Sequence, residues 1–284
     1  MGLESALQKK YDRLLAYIGS YEKIVLAYSG GVDSTLLLKV IAQVLPAENI
    51  IAVIAESPTF PQEESIGARA ICEGWGVPYA VITTEEMNDA NFVNNPEDRC
   101  YFCKRELFNK ILQYAYNKGI TYIFEGSNAE DIHDHRPGLR ALRELGIKSP
   151  LLECGLSKDE IRALSREFGV PTAAKPSLAC LSSRIPYGTQ ITEKVLKMVH
   201  DAEKIIRLFG VTQCRVRHYG DCARIEVEPK DIGTLTRHEI RTQICEALKK
   251  IGYKYITLDL EGYRSGSMNL VLTTNDKEER DEKA

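Results

Sequence analysis

The stretch "KIVLAYSGGVDSTLLLKVIAQVL" leaves this chain few ways to fold. Its opening, "KIVLAY" (23–28), is a short apolar run of strand length that ends on Ser29, Gly30 and Gly31. A helical pattern, "STLLLKVIAQVL" (34–45), follows at once. An apolar run without polar alternation suits a strand buried on both faces, as in a parallel sheet. Two glycines allow a tight turn that exposes backbone N–H groups, and the next helix adds the positive end of its dipole. Strand, turn and helix in that order form a cradle for an anion. It is not a Walker A loop, which needs Lys after its final Gly, and it is not G-x-G-x-x-G.

The alternation continues along the chain. An amphipathic helix over 3–19, with Leu3, Leu7, Tyr11, Leu14, Leu15 and Ile18 at helical spacing, precedes the first strand. After the cradle come a strand (50–57), a helix (61–75), a strand (79–84), a helix (103–117), a strand (122–127) and a helix near 157–168. This order predicts an α/β domain with a doubly wound parallel sheet over residues 1–185. The texture changes after "RIPYG" (184–188). A helix (192–209), the strands "CRVRHYG" and "CARIEVE", a helix (230–250) and strands near 254–260 and 267–273 predict a smaller α+β domain over 186–275. The charge-rich end, 276–284, is expected to be a disordered tail.

Composition narrows the function classes. The 284 residues are 44% apolar and 27% charged with a net charge of −3, as expected of a globular protein with no general attraction to nucleic acid or membrane. Neither a leader pattern nor an apolar run near 18 residues is present, so a cytoplasmic location is expected. In that reducing compartment the eight cysteines are thiols, ligands or catalysts, not a disulfide framework.

Two of them stand out. "NNPEDRCYFCK" (94–104) carries Cys100 and Cys103 at C-x-x-C spacing, half of a zinc site or a redox pair. Cys72 and Cys245 sit in amphipathic helices, Cys154 precedes a helix, and Cys214 and Cys222 bracket a hairpin-like stretch. Cys180 differs, because "KPSLACLSSRIPYG" (175–188) is a loop at the domain junction, where sites are commonly built. Zinc held with His133, His135 or a carboxylate, and a dithiol–disulfide shuttle, both remain open readings. In "RVR" strand alternation points Arg215 and Arg217 to one face, where two guanidinium groups can grip a phosphate. The competing reading is a solvent-facing pair balanced by Glu226 and Glu228, which alternation also puts on a common face.

"SGGVDS" resembles the signature of the N-type ATP pyrophosphatases, which include NAD and GMP synthetases and several tRNA thiolation enzymes. That resemblance implies a nucleotide site in which Ser29, Gly30, Gly31, Asp33 and Ser34 hold pyrophosphate and Asp33 also holds magnesium. It further implies that Ala55 to Ser57 border the adenine, that Gly126, Ser127 and Asn128 line the same edge, and that Lys104 and Lys158 are phosphate partners. Together "SGGVDS", "DRCYFCK", "GSNAEDIHDHRPGLRA", "KPSLACLSSRIPYG", "ARIEV" and "GYRSGS" resemble the LarE-type pyridinium-biscarboxylate mononucleotide sulfurtransferases over nearly the whole chain.

One version of that family sacrifices the sulfur of a single cysteine matching Cys180. The other is similar to cluster-dependent tRNA thiolases and holds a [4Fe–4S] cluster through positions matching Cys100, Cys103 and Cys180, with one iron open for an extra sulfide. This chain has all three cysteines. The resemblance implies ATP, magnesium and cluster as cofactors, a pyridinium mononucleotide as substrate, an unidentified sulfide donor and a homo-oligomer. Arg184, Glu203, Arg215, Arg217, Glu226 and Asp231 are the implied substrate residues. Three other functions compete. A tRNA thiolase would need a basic RNA-binding surface, which the net charge of −3 disfavours. An amidating synthetase has no use for three convergent cysteines, and a nucleotide-sensing module would release no pyrophosphate.

Overall fold

A computed structural model describes residues 5–132, 137–176 and 179–271. His133, His135 and the tail from 276 lie outside the described residues. In chain order the elements are α1 (Ser5–Gly19), β1 (Ile24–Ala27), α2 (Val32–Val44), β2 (Ile50–Glu56), α3 (Gln62–Trp75), β3 (Tyr79–Thr83), α4 (Ala90–Val93), α5 (Arg99–Asn117), β4 (Tyr122–Phe124), α6 (Pro137–Glu144), α7 (Pro150–Glu153) and α8 (Lys158–Glu167). They continue with α9 (Glu193–Arg207), β5 (Cys214–Tyr219), β6 (Cys222–Val227), α10 (Pro229–Leu235), α11 (His238–Ile251) and β7 (Tyr255–Leu258). The chain divides into two compact units, Met1–Asp89 with Asp98–Leu178, and Ala90–Glu97 with Ala179–Ala284. Among the described residues no helix is long and apolar enough to cross a membrane.

In the first unit the sheet order is β3-β2-β1-β4, parallel throughout. Strand alternation sends Ile24 and Leu26 into a core with residues of α1, α2, α3 and α8, while Val25 joins a second core with Phe108, Ile111 and Leu142 of α5 and α6. Both faces of the sheet are therefore covered, the doubly wound arrangement expected. After β3 the chain returns to the other side of β1. That reversal puts the topological switch point between β1 and β4, at whose carboxyl ends such sheets bind ligands.

In the second unit β5 and β6 form an antiparallel hairpin, and β7 lies parallel to β6, giving a small mixed sheet. One face, with Cys214, Val216, Ala223, Ile225 and Val227, packs on Ala202, Ile206, Ile244 and Leu248 from α9 and α11. The alternate residues, including Arg215, Arg217, Arg224 and Glu226, form the opposite face. The segment 90–97 joins this unit through Asn95, a fully buried residue at φ 55°. Its Nδ2 donates to the carbonyls of Pro186 (2.7 Å) and Thr189 (3.0 Å).

Three local expectations change. The run 230–250 is two helices, because the Thr236 hydroxyl donates back to the carbonyls of Ile232 and Gly233 and Arg237 turns extended before α11. Residues 267–269 form a 3-10 turn where a strand was expected, with the Ser267 hydroxyl accepting from Arg217 at 2.9 Å. Glu228 lies beyond β6 and pairs with Lys230, so it does not share the face of Glu226.

Candidate functional site

The phosphate loop lies at the switch point. Gly31 caps α2 without any side-chain hydrogen bond, so the first amides of the helix are left to another partner. Ser29 and Ser34 face each other across the loop, Oγ to Oγ 3.0 Å. Gly30 adopts φ +69°, where a side chain would be strained, and a Cβ there would meet Ala68 of α3 at 3.1 Å. A Cβ at Gly126, after β4, would lie 3.0 Å from the Ser34 amide nitrogen and cover the helix end. Both glycines therefore keep a close-packed loop with an open mouth.

Charge surrounds that mouth. Asp33, in the first turn of α2, pairs through Oδ2 with Lys158 at 2.5 Å. Its other oxygen, Oδ1, is buried and has no hydrogen-bond partner among the described residues. Burial raises the Asp33 carboxyl above its ordinary range against the pull of Lys158, and Asp131 adds to the rise. An orphaned carboxylate oxygen beside an anion loop suits a magnesium ion that also binds polyphosphate. Lys158 opens α8, whose start is fixed by a capping box between Ser157 and Glu160.

Lys104 of α5 approaches Glu125 at 3.8 Å. Glu125, a buried residue that sequence reasoning missed, accepts from the Ser127 amide (2.9 Å), the Ser127 hydroxyl (2.8 Å) and the Ser149 hydroxyl. Asn128 accepts from the Glu130 amide at 3.0 Å and donates its own amide to Asp131 at 3.0 Å. At the end of β2, Ala55 is half-buried and the Ser57 hydroxyl bonds Thr59 (2.6 Å) and the buried Glu86. The structure thus brings Ser29, Gly30, Gly31, Asp33, Ser34, Gly126 and Lys158 together, with Lys104 reaching the same strand end through Glu125.

Sequence reasoning also passed over Lys175, although the string that contains it stands out. Lys175 Nζ donates to the Gly30 carbonyl at 3.0 Å and to Glu64 at 2.5 Å. Its only sequence signal is its place five residues before Cys180.

Cys100 and Cys103 lie near the start of α5, three residues apart and so on one helical face, the first exposed and the second half-buried. Two thiols so placed fit two adjacent ligand positions of a thiolate-bound metal group. Cys180 belongs to the second unit. Among the described residues no three His, Cys, Asp or Glu side chains form a metal-binding group.

In the second unit Arg184 holds the Cys180 turn. Its Nη1 donates to the carbonyls of Ala179 (2.7 Å) and Cys180 (2.9 Å), while Nε and Nη2 grip Glu203 at 2.8 and 3.2 Å. Glu203 also accepts from Arg207 (2.9 Å) and from the Val216 amide on the edge of β5 (3.2 Å). Burial would raise the Glu203 carboxyl, but Arg184, Arg215 and Arg207 together hold it below its ordinary value.

Arg217 pairs with the fully buried Glu226 at 2.6 Å and donates to the Ser183 carbonyl at 3.0 Å. Arg215 stacks 5.1 Å from the Tyr263 ring, and burial beside Arg184 lowers its pKa against the pull of Glu203. The "RVR" arginines are therefore buried and not solvent-facing, with Glu226 as neighbour to both in the β5–β6 register. Asp231 lies in the first turn of α10, its Oδ2 buried and without a hydrogen-bond partner among the described residues.

Relatives accord with this geometry. Residues 6–117, which include the phosphate loop, match the model of the NAD synthase family. Pyridinium-3,5-bisthiocarboxylic acid mononucleotide synthase from Lactiplantibacillus plantarum is 36% identical over 269 residues, covering 95% of this chain and 97% of its own. An uncharacterized protein of Synechocystis is 41% identical over 94% of this chain and 99% of its own length. A subunit of the glutamine-hydrolyzing GMP synthase of Thermoplasma volcanium is 26% identical over 54% of each chain, a likeness of one part only. Identity of 36% along nearly the full length of both chains, on a PP-loop fold, makes this protein a member of the LarE-type family of ATP-dependent sulfurtransferases.

Proposed function

We propose that this protein adenylates a carboxylate of a pyridinium dicarboxylate mononucleotide with ATP and exchanges the adenylate for sulfur. The products are a thiocarboxylate, AMP and pyrophosphate. The observation that carries the ATP half is the uncapped start of α2, kept open by Gly126 and flanked by Asp33 and Lys158. Loop amides, Ser29, Ser34, Lys158 and Lys104 hold the leaving pyrophosphate. Asp33 Oδ1 would hold magnesium, which when bound would offset the phosphate charge. A carboxylate oxygen attacks the α-phosphorus, and the bond to the bridging oxygen breaks. A sulfur nucleophile then attacks the acyl carbon, and AMP departs with the carboxylate oxygen.

Arg215 and Arg217 bind the mononucleotide phosphate, Glu226 orients Arg217, and Asp231 contributes to the same substrate. Arg184 and Glu203 act by fixing the backbone of Cys180. Cys100, Cys103 and Cys180 would hold a [4Fe–4S] cluster, which when bound would supply a seat for the transferred sulfide. The C-x-x-C pair on one face of α5 supports this reading, since a sacrificial thiol has no use for it. The runner-up is sacrifice of the Cys180 sulfur.

Anaerobic reconstitution with ferrous iron and sulfide separates the two. The cluster reading expects an iron chromophore that is bleached by Cys100→Ala, Cys103→Ala or Cys180→Ala, and repeated turnovers when sulfide is supplied. Sacrifice expects one turnover, with the chain lighter by one H₂S. Repeated turnovers from a Cys100→Ala/Cys103→Ala double variant would remove the cluster from the mechanism.

A further inference from the structure

Lys175 is built into the phosphate loop yet has no part in the chemistry above. Its backbone is held by α8, where Arg162 donates to the carbonyls of Ala173 (2.7 Å) and Lys175 (2.9 Å). Its ammonium reaches the loop itself, donating to the Gly30 carbonyl at 3.0 Å. Glu64, which pairs with it at 2.5 Å, belongs to α3, the helix against which Gly30 packs. An ammonium has three donor positions, and these two contacts leave a third for another acceptor. The side chain is 26% exposed, so the ammonium is not sealed off from solvent.

We infer that Lys175 is a further pyrophosphate-binding residue of the loop and that Glu64 is the counter-ion with which the pyrophosphate competes. The inference rests on the ATP reading of the site. Its physical basis is charge. A leaving pyrophosphate carries several negative charges, and a lysine anchored on a loop carbonyl delivers a cation to the loop without disturbing the amides. Before the anion arrives, Glu64 neutralises that cation. When it arrives, Glu64 is a like charge at close range and opposes it.

This division of roles predicts opposite signs for the two partners of one ion pair. Lys175→Ala should weaken binding of magnesium pyrophosphate by roughly tenfold to a hundredfold, the usual size for a charge-assisted hydrogen bond. Glu64→Gln should tighten it. Lys175→Arg should bind nearly as wild type, and Lys175→Gln, which can keep the Gly30 bond but lacks the charge, should match Lys175→Ala and serves if the alanine variant does not fold. Calorimetric titration of the full chain with magnesium pyrophosphate, and separately with magnesium ATP, reads these effects without any sulfur transfer. A structural ion pair predicts that Lys175→Ala and Glu64→Gln weaken binding alike, and that result overturns the inference. So does wild-type affinity in both Lys175→Ala and Lys175→Gln. If the wild-type protein binds neither ligand, the ATP reading itself fails and this inference fails with it.

Discussion

Replacing Asp33 with Ala lowers pyrophosphate release by roughly a hundredfold or more, the scale on which losing a preorganised electrostatic group acts, while the chain stays folded. The loss follows from the two oxygens of this carboxylate. Oδ2 holds Lys158 toward the loop, and Oδ1 is buried with no hydrogen-bond partner among the described residues. Removing both takes away the proposed magnesium ligand and the anchor of the proposed phosphate-binding lysine together. The fold survives because burial already disfavours the ionised Asp33 carboxyl, whose pKa lies above its ordinary range despite Lys158, so the charge is held there at a cost to the fold. Asp33→Asn keeps the shape without the charge and should fail as badly. A pyrophosphatase-coupled phosphate assay with circular dichroism checks both halves, and a wild-type rate in either variant would contradict the loop assignment.

Glu203→Ala has the largest effect on stability, about 3–5 kcal/mol for breaking one side of a buried pair. It leaves Arg184, 1% exposed, charged without its carboxylate, and strips the Val216 amide of its acceptor. The Cys180 turn, held by the same guanidinium, loosens as well. The pH dependence has a definite sign. Because the folded-state pKa of Glu203 is depressed, its contribution is fully present above the unfolded value near 4.5 and is lost as pH falls through the folded value. Urea unfolding of the wild type should therefore weaken on acidification below about pH 4.5. Glu203→Gln should lose that part of the acid dependence and be destabilised at neutral pH. An unchanged urea midpoint for Glu203→Ala at neutral pH would mean that the pair holds nothing.

Features set by local chemistry were legible in the sequence. The loop from Ser29 to Ser34 is one, because strand, paired glycines and helix leave little choice of turn. The common face of Arg215 and Arg217 is another, because strand alternation fixes it. What tertiary contacts decide was not legible. Nothing local tells that Lys158 meets Asp33, 125 residues away, or that Lys175 meets Gly30 across 145. Glu125 reads as an ordinary strand-end carboxylate until three hydroxyl and amide donors from Ser127 and Ser149 converge on it. Asn95 reads as a polar loop residue until its amide bonds the loop at 185–189. The strand expected from 267 fails because Ser267 turns toward Arg217 and Glu226.

The most direct test of the proposed reaction is to follow AMP, pyrophosphate and product mass together with the pyridinium dicarboxylate mononucleotide, ATP, magnesium and sulfide under anaerobic conditions. The account predicts one AMP and one pyrophosphate per carboxylate converted, each conversion replacing one oxygen of the substrate by sulfur, and no AMP when the mononucleotide is omitted. AMP release independent of the mononucleotide, or AMP release without sulfur in the product, would contradict it.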